Sequence, residues 1–134
     1  MSTAERINNQ SQMNFHGALE NVNTNVFCAD DGFNITFVNR KARKVMGEIA
    51  KQVRQEFGID ANNLVGVNID TFHGDRVKDI RSKLSNPKNF PIVSEISFAG
   101  LTLSLQISQV DSDTAGIGGY IVNWDEISEK KKIE

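Results

Sequence analysis

Apolar and polar side chains alternate most cleanly between Leu101 and Val110, where Leu101, Leu103, Leu105 and Ile107 interleave with Thr102, Ser104, Gln106 and Ser108. A period of two places the four apolar side chains on one face of a strand. Ile92 to Phe98 predicts the strand before it, with Ile92, Ile96 and Phe98 sharing a face and Ala99-Gly100 turning the chain. After a turn at Asp111 to Thr114, Ile117 to Trp124 predicts a last strand that aligns Tyr120, Val122 and Trp124. Nearer the N-terminus, Val26 to Ala29 and Asn34 to Val38 flank Asp30-Asp31-Gly32. Asp-Gly between β-rich runs predicts a hairpin.

Between these strand groups the period lengthens. Ala42, Val45, Met46, Ile49, Ala50, Val53 and Phe57 recur at three- and four-residue steps after Asn39, an N-cap residue. This predicts an amphipathic helix, with Gly47 as a candidate break. Residues 58–74 are irregular, but Ile69 to His73 suffices for one helical turn. Asp75 can cap a further helix carrying Val77, Ile80, Arg81 and Leu84, which Asn86-Pro87 ends. A short helical pattern of Met13, Ala18, Leu19 and Val22 precedes the first strand, and residues 1–11 are polar, a flexible leading segment. Glu126 to Glu134 is polar and helix-prone and stops mid-pattern, which reads as the start of a longer helix in a larger protein. Two strands, then helices, then three strands imply an α+β fold: a five-stranded antiparallel sheet with helices on one face.

With 134 residues the chain fits a single domain. Fifteen basic against 17 acidic side chains leave a net charge of −2. The basic face Arg40, Lys41, Arg43, Lys44, Lys51 and Arg54 therefore reads as a solvated helix surface, and no nucleic-acid partner is expected. No apolar run approaches the ~18 residues of a membrane span, and Met1 to Arg6 lacks the build of a secretory leader. The expectation is a cytoplasmic domain without membrane contact. One cysteine makes neither an internal disulfide nor a cysteine-based zinc cage.

The order and spacing of these elements resemble a PAS domain from about Phe15 to Lys130. Ala29 to Asn39 is similar to the family's opening hairpin, with the asparagine that leads into the first central helix, and Met46-Gly47 to the end of that helix. Trp124-Asp125-Glu126-Ile127-Ser128 resembles the family's closing Asp-Ile-Thr junction. The resemblance divides the chain into a sensor domain at 12–125 and the start of a signalling helix at 126–134. Gly66 to His73, followed by Trp124, further resembles the haem-binding PAS domains of Aer-type bacterial chemoreceptors, the methyl-accepting chemotaxis proteins.

That resemblance implies haem b as cofactor, with His73 as axial ligand to the iron and Trp124 donating a hydrogen bond to bound O2 or another diatomic gas. Ile69 and Phe72 belong to the resembling segment, and the alternating strand faces add Ile96, Phe98, Leu103, Leu105, Ile107, Tyr120 and Val122 around the macrocycle. After His73 the chain departs from the pattern. Gly74-Asp75 stand where relatives often carry Asn-Pro, and Lys78 stands where a second histidine falls, which makes Lys78 a candidate cofactor contact. A homodimer and an output domain in the same longer chain are also implied. Glu126 and Ser128 are the candidate signal relay, since both can hydrogen-bond the backbone at a helix start.

The residues themselves bear this chemistry. Haem iron takes a nitrogen or sulfur axial ligand, and a neutral imidazole is a common one. The plain alternative for His73 is a polar residue satisfied by backbone; for Trp124 it is core packing, though a buried indole N–H must still find a partner. Gly118-Gly119 inside a strand asks for a bulge or for a bulky group close to the backbone, and the second fits haem. A photosensory flavin domain needs a reactive cysteine near 68–73, but Cys28 lies on the first strand as a small hydrophobe. Neither a Ser-His-Asp arrangement nor a phosphate loop is present, so no enzyme is expected. The alternative reading is a cofactor-free PAS module for dimerisation or for sensing a small metabolite.

Overall fold

The computed structural model describes residues 17–111 and 117–128. Expectations for the leading segment 1–11, Met13, the turn at 112–114 and the helix beyond Ser128 lie outside the described residues. A helical segment at 17–21 leads into β1 (Asn25–Ala29) and β2 (Ile35–Val38), followed by α1 (Arg40–Glu48) and α2 (Ala50–Phe57). Single 3-10 turns at Ile69–Phe72 and Gly74–Arg76 precede α3 (Val77–Leu84), and β3 (Ile92–Phe98), β4 (Leu101–Asp111) and β5 (Ile117–Glu126) close the fold. Among the described residues the sheet has five strands in the order β2-β1-β5-β4-β3, and every pairing is antiparallel. This is the α+β architecture that the periodicities predict.

The first hairpin and helix are locked together through Asn39. Its fully buried side chain accepts from the backbone N–H of Ala42, capping α1, and from that of Val26 on β1. Its amide donates back to the carbonyls of Leu19 and Thr24, so one residue fastens the leading segment, β1 and α1. The helix break falls at Ile49 (φ −107°, ψ 15°), not at Gly47, which sits inside α1. Ile49 is buried with Met46 and Val53, so the break keeps both helices' apolar stripes on the sheet.

β3 and β4 pair from Ile92↔Ile107 to Phe98↔Leu101. A two-residue turn joins them with Ala99 (φ 48°) and Gly100 (φ 81°) both left-handed, the conformation that matches strand twist. Of the two causes that the sequence offers for the glycine pair in β5, the structure has the bulge, since the register against β4 passes from Gly119 to Ile117. Gly119 adopts φ 145°, and a Cβ there would stand 2.4 Å from the carbonyl oxygen of Ala29 on β1. The register against β4 slips beside it, between Val110 and Asp111. The close neighbour is a strand carbonyl. Asp75 also departs from expectation: it lies within the second 3-10 turn, and α3 starts at Val77 with Arg76 in the N-cap position and no side-chain cap.

Candidate functional site: an apolar cavity with two unpaired nitrogens

The inward faces of β3, β4 and β5 supply Ile96, Phe98, Leu103, Leu105, Ile107, Val122 and Trp124 to one wall of a cavity of about 130 Å³. Phe27, Ala29 and Ile35 extend that wall, Met46, Val53 and Phe57 close it from α1 and α2, and Ile69, Phe72 and His73 form the side opposite the sheet. The period of two explains why one strand contributes Leu103, Leu105 and Ile107 together. A second chamber of about 180 Å³ adjoins the first and shares Phe72, His73, Ile96, Leu105 and Ile107 with it.

Trp124 is 2% exposed and sits on central strand β5, opposite Asn25 on one side and Leu105 on the other. The Asn25 amide donates to its carbonyl at 3.1 Å, and the Phe27 ring lies 5.5 Å from the indole. The indole position is thus over-determined, yet its buried Nε1–H has no hydrogen-bond partner among the described residues. Leaving such a donor unmatched costs about 1–3 kcal/mol.

His73 lies between the two 3-10 turns, its N–H donating to Asp70 O and its carbonyl accepting from Arg76 N–H, both at 3.0 Å. The imidazole is half-buried, and its Nδ1 is buried without a partner among the described residues. Burial pushes the imidazole below its ordinary value, the charges of Arg76 and Arg81 add to this, and Asp70 opposes it. The ring is therefore neutral at neutral pH, the form that offers a lone pair to a metal.

The turn that carries His73 is held from outside the cavity. Asn68 caps it at Asp70 N–H and reaches across to Asn34 Oδ1 at 3.1 Å. Arg81 on α3 donates from Nε to both Asp70 carboxylate oxygens, at 3.1 and 2.9 Å. The same guanidinium lies 4.7 Å over the Phe33 ring, which stacks on Tyr120 at 5.1 Å. Tyr120 donates its hydroxyl to Leu84 O at 3.1 Å, tying β5 to the end of α3.

At the far end of β5, Glu126 Oε1 accepts from Ser128 N–H at 2.9 Å. Ser128 Oγ accepts from Thr102 N–H at 2.8 Å, and Ile127 N–H donates to Thr102 O at 2.8 Å. The two residues named for a relay thus join the end of β5 to the start of β4, next to the cavity-lining Leu103. Glu126 itself ends the strand instead of opening a helix.

Ten of the residues singled out from the sequence line the cavity: Ile69, Phe72, His73, Ile96, Phe98, Leu103, Leu105, Ile107, Val122 and Trp124. Two do not. Tyr120 shares the face of Trp124 but is packed in a separate cluster with Ala29, Phe33 and Leu84. Lys78 is exposed on α3 and borders neither chamber, because Val77, Ile80 and Leu84 take the inward stripe. Sequence reasoning missed Phe27, Met46, Val53 and Phe57 as cavity walls. The helical period marked the last three as core, but nothing local says which core residues border a void.

Comparison with known proteins agrees with this geometry. Residues 13–85 match the family model of the PAS domain. The methyl-accepting chemotaxis protein McpB of Pseudomonas aeruginosa is 31% identical over 118 residues, 87% of this chain and 17% of that receptor's length. The Aer2 receptor of Vibrio cholerae, a dual PAS-haem oxygen sensor, superposes with a TM-score of 0.70 at 28% identity, over 78% of this chain and 94% of that one. A PAS domain from Colwellia psychrerythraea shares the fold alone, with a TM-score of 0.61 at 12% identity over 88% and 98% of the two chains. With the family model spanning more than half of the sequence, the chain belongs to the PAS domain family, as a sensor domain related to a chemoreceptor.

Proposed function

We propose that this PAS domain binds haem b through His73, senses O2 through Trp124, and is the cytoplasmic input of a chemoreceptor-type signalling chain. The observation that carries the reading is the pair of buried nitrogens, His73 Nδ1 and Trp124 Nε1, both without partners among the described residues. Both residues line one apolar cavity. An imidazole held neutral suits a metal, and an indole donor suits a polar diatomic ligand. The likeness to a dual PAS-haem sensor supports the same assignment.

Bound haem would supply an iron position open to diatomic gases. His73 would hold the iron, and the aliphatic side chains of β3, β4 and β5 would exclude water from the macrocycle. Trp124 would donate to the outer atom of O2, which bears more negative charge than that of CO. Glu126 lies two positions beyond Trp124, so a shift of the indole would pull on the Glu126–Ser128–Thr102 contacts. The output domain would follow in the same longer chain, with dimerisation through that receptor.

One observation favours a second reading, a cofactor-free module for dimerisation or a small apolar metabolite. The first chamber, at about 130 Å³, is smaller than the ~300–1,000 Å³ of ordinary ligand sites, and a porphyrin needs both chambers. Absorption spectroscopy decides between them. Haem reconstitution of the native protein is expected to give a Soret band that His73→Ala loses. Equal bands in the two proteins would remove His73 from its role, and no band in either would leave the second reading standing.

A further inference from the structure

The second chamber differs from the first in its charge. Arg76, Ile80, Lys83 and Leu84 border it from one side, and Ile92, Ser94 and Ile107 from the sheet. Positions 76, 80, 83 and 84 fall on one stripe of a helix, whereas position 78 is turned by roughly 200° from position 76. That is why Lys78 points elsewhere. The side chains of Arg76 and Lys83 have no ion pair or hydrogen bond among the described residues, while Arg81 on the same helix is occupied by Asp70. Among the described residues, no aspartate or glutamate borders this chamber. It is therefore an apolar pocket with two uncommitted cations at its mouth, open at its inner end to the His73 turn.

We infer that this chamber receives the carboxylate end of a ligand whose apolar body lies in the first cavity, with Arg76 and Lys83 as the groups that recognise it. The inference rests on the porphyrin reading and adds an orientation to it: the two carboxylates of the macrocycle lie toward α3. Exposed ion pairs are weak individually and weaken with salt. The cations therefore select and orient the ligand, and burial in the apolar cavity supplies most of the affinity.

The test compares metal-free protoporphyrin IX with its dimethyl ester, titrated by fluorescence against the native protein, Arg76→Gln/Lys83→Gln and Lys78→Gln. Both targeted side chains are exposed, so the fold is not at stake. The free acid is expected to bind the native protein more tightly than the diester by about fivefold to twentyfold, at low salt. The double variant should lose that preference, Lys78→Gln should keep it, and 0.5 M salt should erase it. An unchanged preference in the double variant would overturn the assignment, as would no preference in the native protein or no binding at all. Because the probe has no iron, its binding does not call on iron ligation, so failure here is distinguishable from failure of His73 as the iron ligand.

Discussion

Trp124 and His73 face the same cavity from opposite walls, and the walls hold them by different means. Trp124 stands in a central strand, bonded on both edges, with Leu105 and Asn25 opposite it. His73 stands between two single 3-10 turns; a long-range backbone bond, Ile69 N–H to Phe33 O at 2.9 Å, ties the first turn to the hairpin, and side chains fasten the rest of its wall. Those fasteners are Asn68 on Asn34, Arg81 on Asp70 and Tyr120 on Leu84 O. A ladder opens cooperatively, whereas a wall pinned at separate points can open locally. On the proposed reading, this arrangement would keep the Trp124 donor fixed and let the His73 wall yield to a porphyrin larger than the cavity of about 130 Å³.

Breaking the ladder should have the largest effect. Gly119→Ala places a methyl 2.4 Å from Ala29 O at a φ that alanine avoids, so a loss of about 2–4 kcal/mol is expected in chemical denaturation. A loss below 0.5 kcal/mol would mean that β1 and β5 separate easily, and the rigid wall would not be rigid.

Removing the donor while keeping the wall comes next. Trp124→Leu should retain the Soret band but weaken O2 binding tenfold to more than a hundredfold, the worth of a hydrogen bond to a strongly polar acceptor. CO binding should change less. Equal losses for both gases would reduce Trp124 to a shape-filling role.

Loosening the other wall should matter less for global stability and more for local opening. The Asp70–Arg81 pair is partly exposed, with side chains 27% and 42% accessible, so Asp70→Asn should cost under about 1 kcal/mol overall. Hydrogen exchange should quicken across residues 69–84 and stay unchanged in β4 and β5. Faster exchange everywhere would show that the two walls open as one unit. The smallest effect is expected at the junction. Ser128→Ala removes the acceptor for Thr102 N–H and should raise exchange at Thr102 and Ile127 with gas affinity unchanged, a change of about 0.5–1.5 kcal/mol. A matching change in O2 affinity would instead place Ser128 within the binding site.

The sheet wall was legible in the sequence because a period of two needs no knowledge of partners. Leu103, Leu105 and Ile107 announce a shared face before any neighbour is known. The other wall was legible only as an irregular stretch. Its order comes from contacts 11 to 36 residues apart, such as Arg81 with Asp70 and Asn68 with Gly32 O, which no local window contains. Tyr120 shows the same limit on the sheet: alternation gives its face, but Phe33 and Leu84 decide which cluster it joins. Gly119 marked a real constraint whose cause, a strand carbonyl, lies 90 positions earlier at Ala29. The break at Ile49 instead of Gly47 reflects tertiary packing overriding the residue with the weaker helix propensity.

On the proposed reading, the Trp124 indole N–H, without a partner among the described residues, would find one in the ligand. Trp124 is the chain's single tryptophan, so one indole N–H cross-peak in a 15N-correlated spectrum reports on it without ambiguity. In the haem-reconstituted ferrous protein, that peak is expected to move downfield and its exchange to slow under O2, with a smaller change under CO. A peak in the same position under both gases would mean that Trp124 does not read the ligand, and the sensing role of this wall would fall.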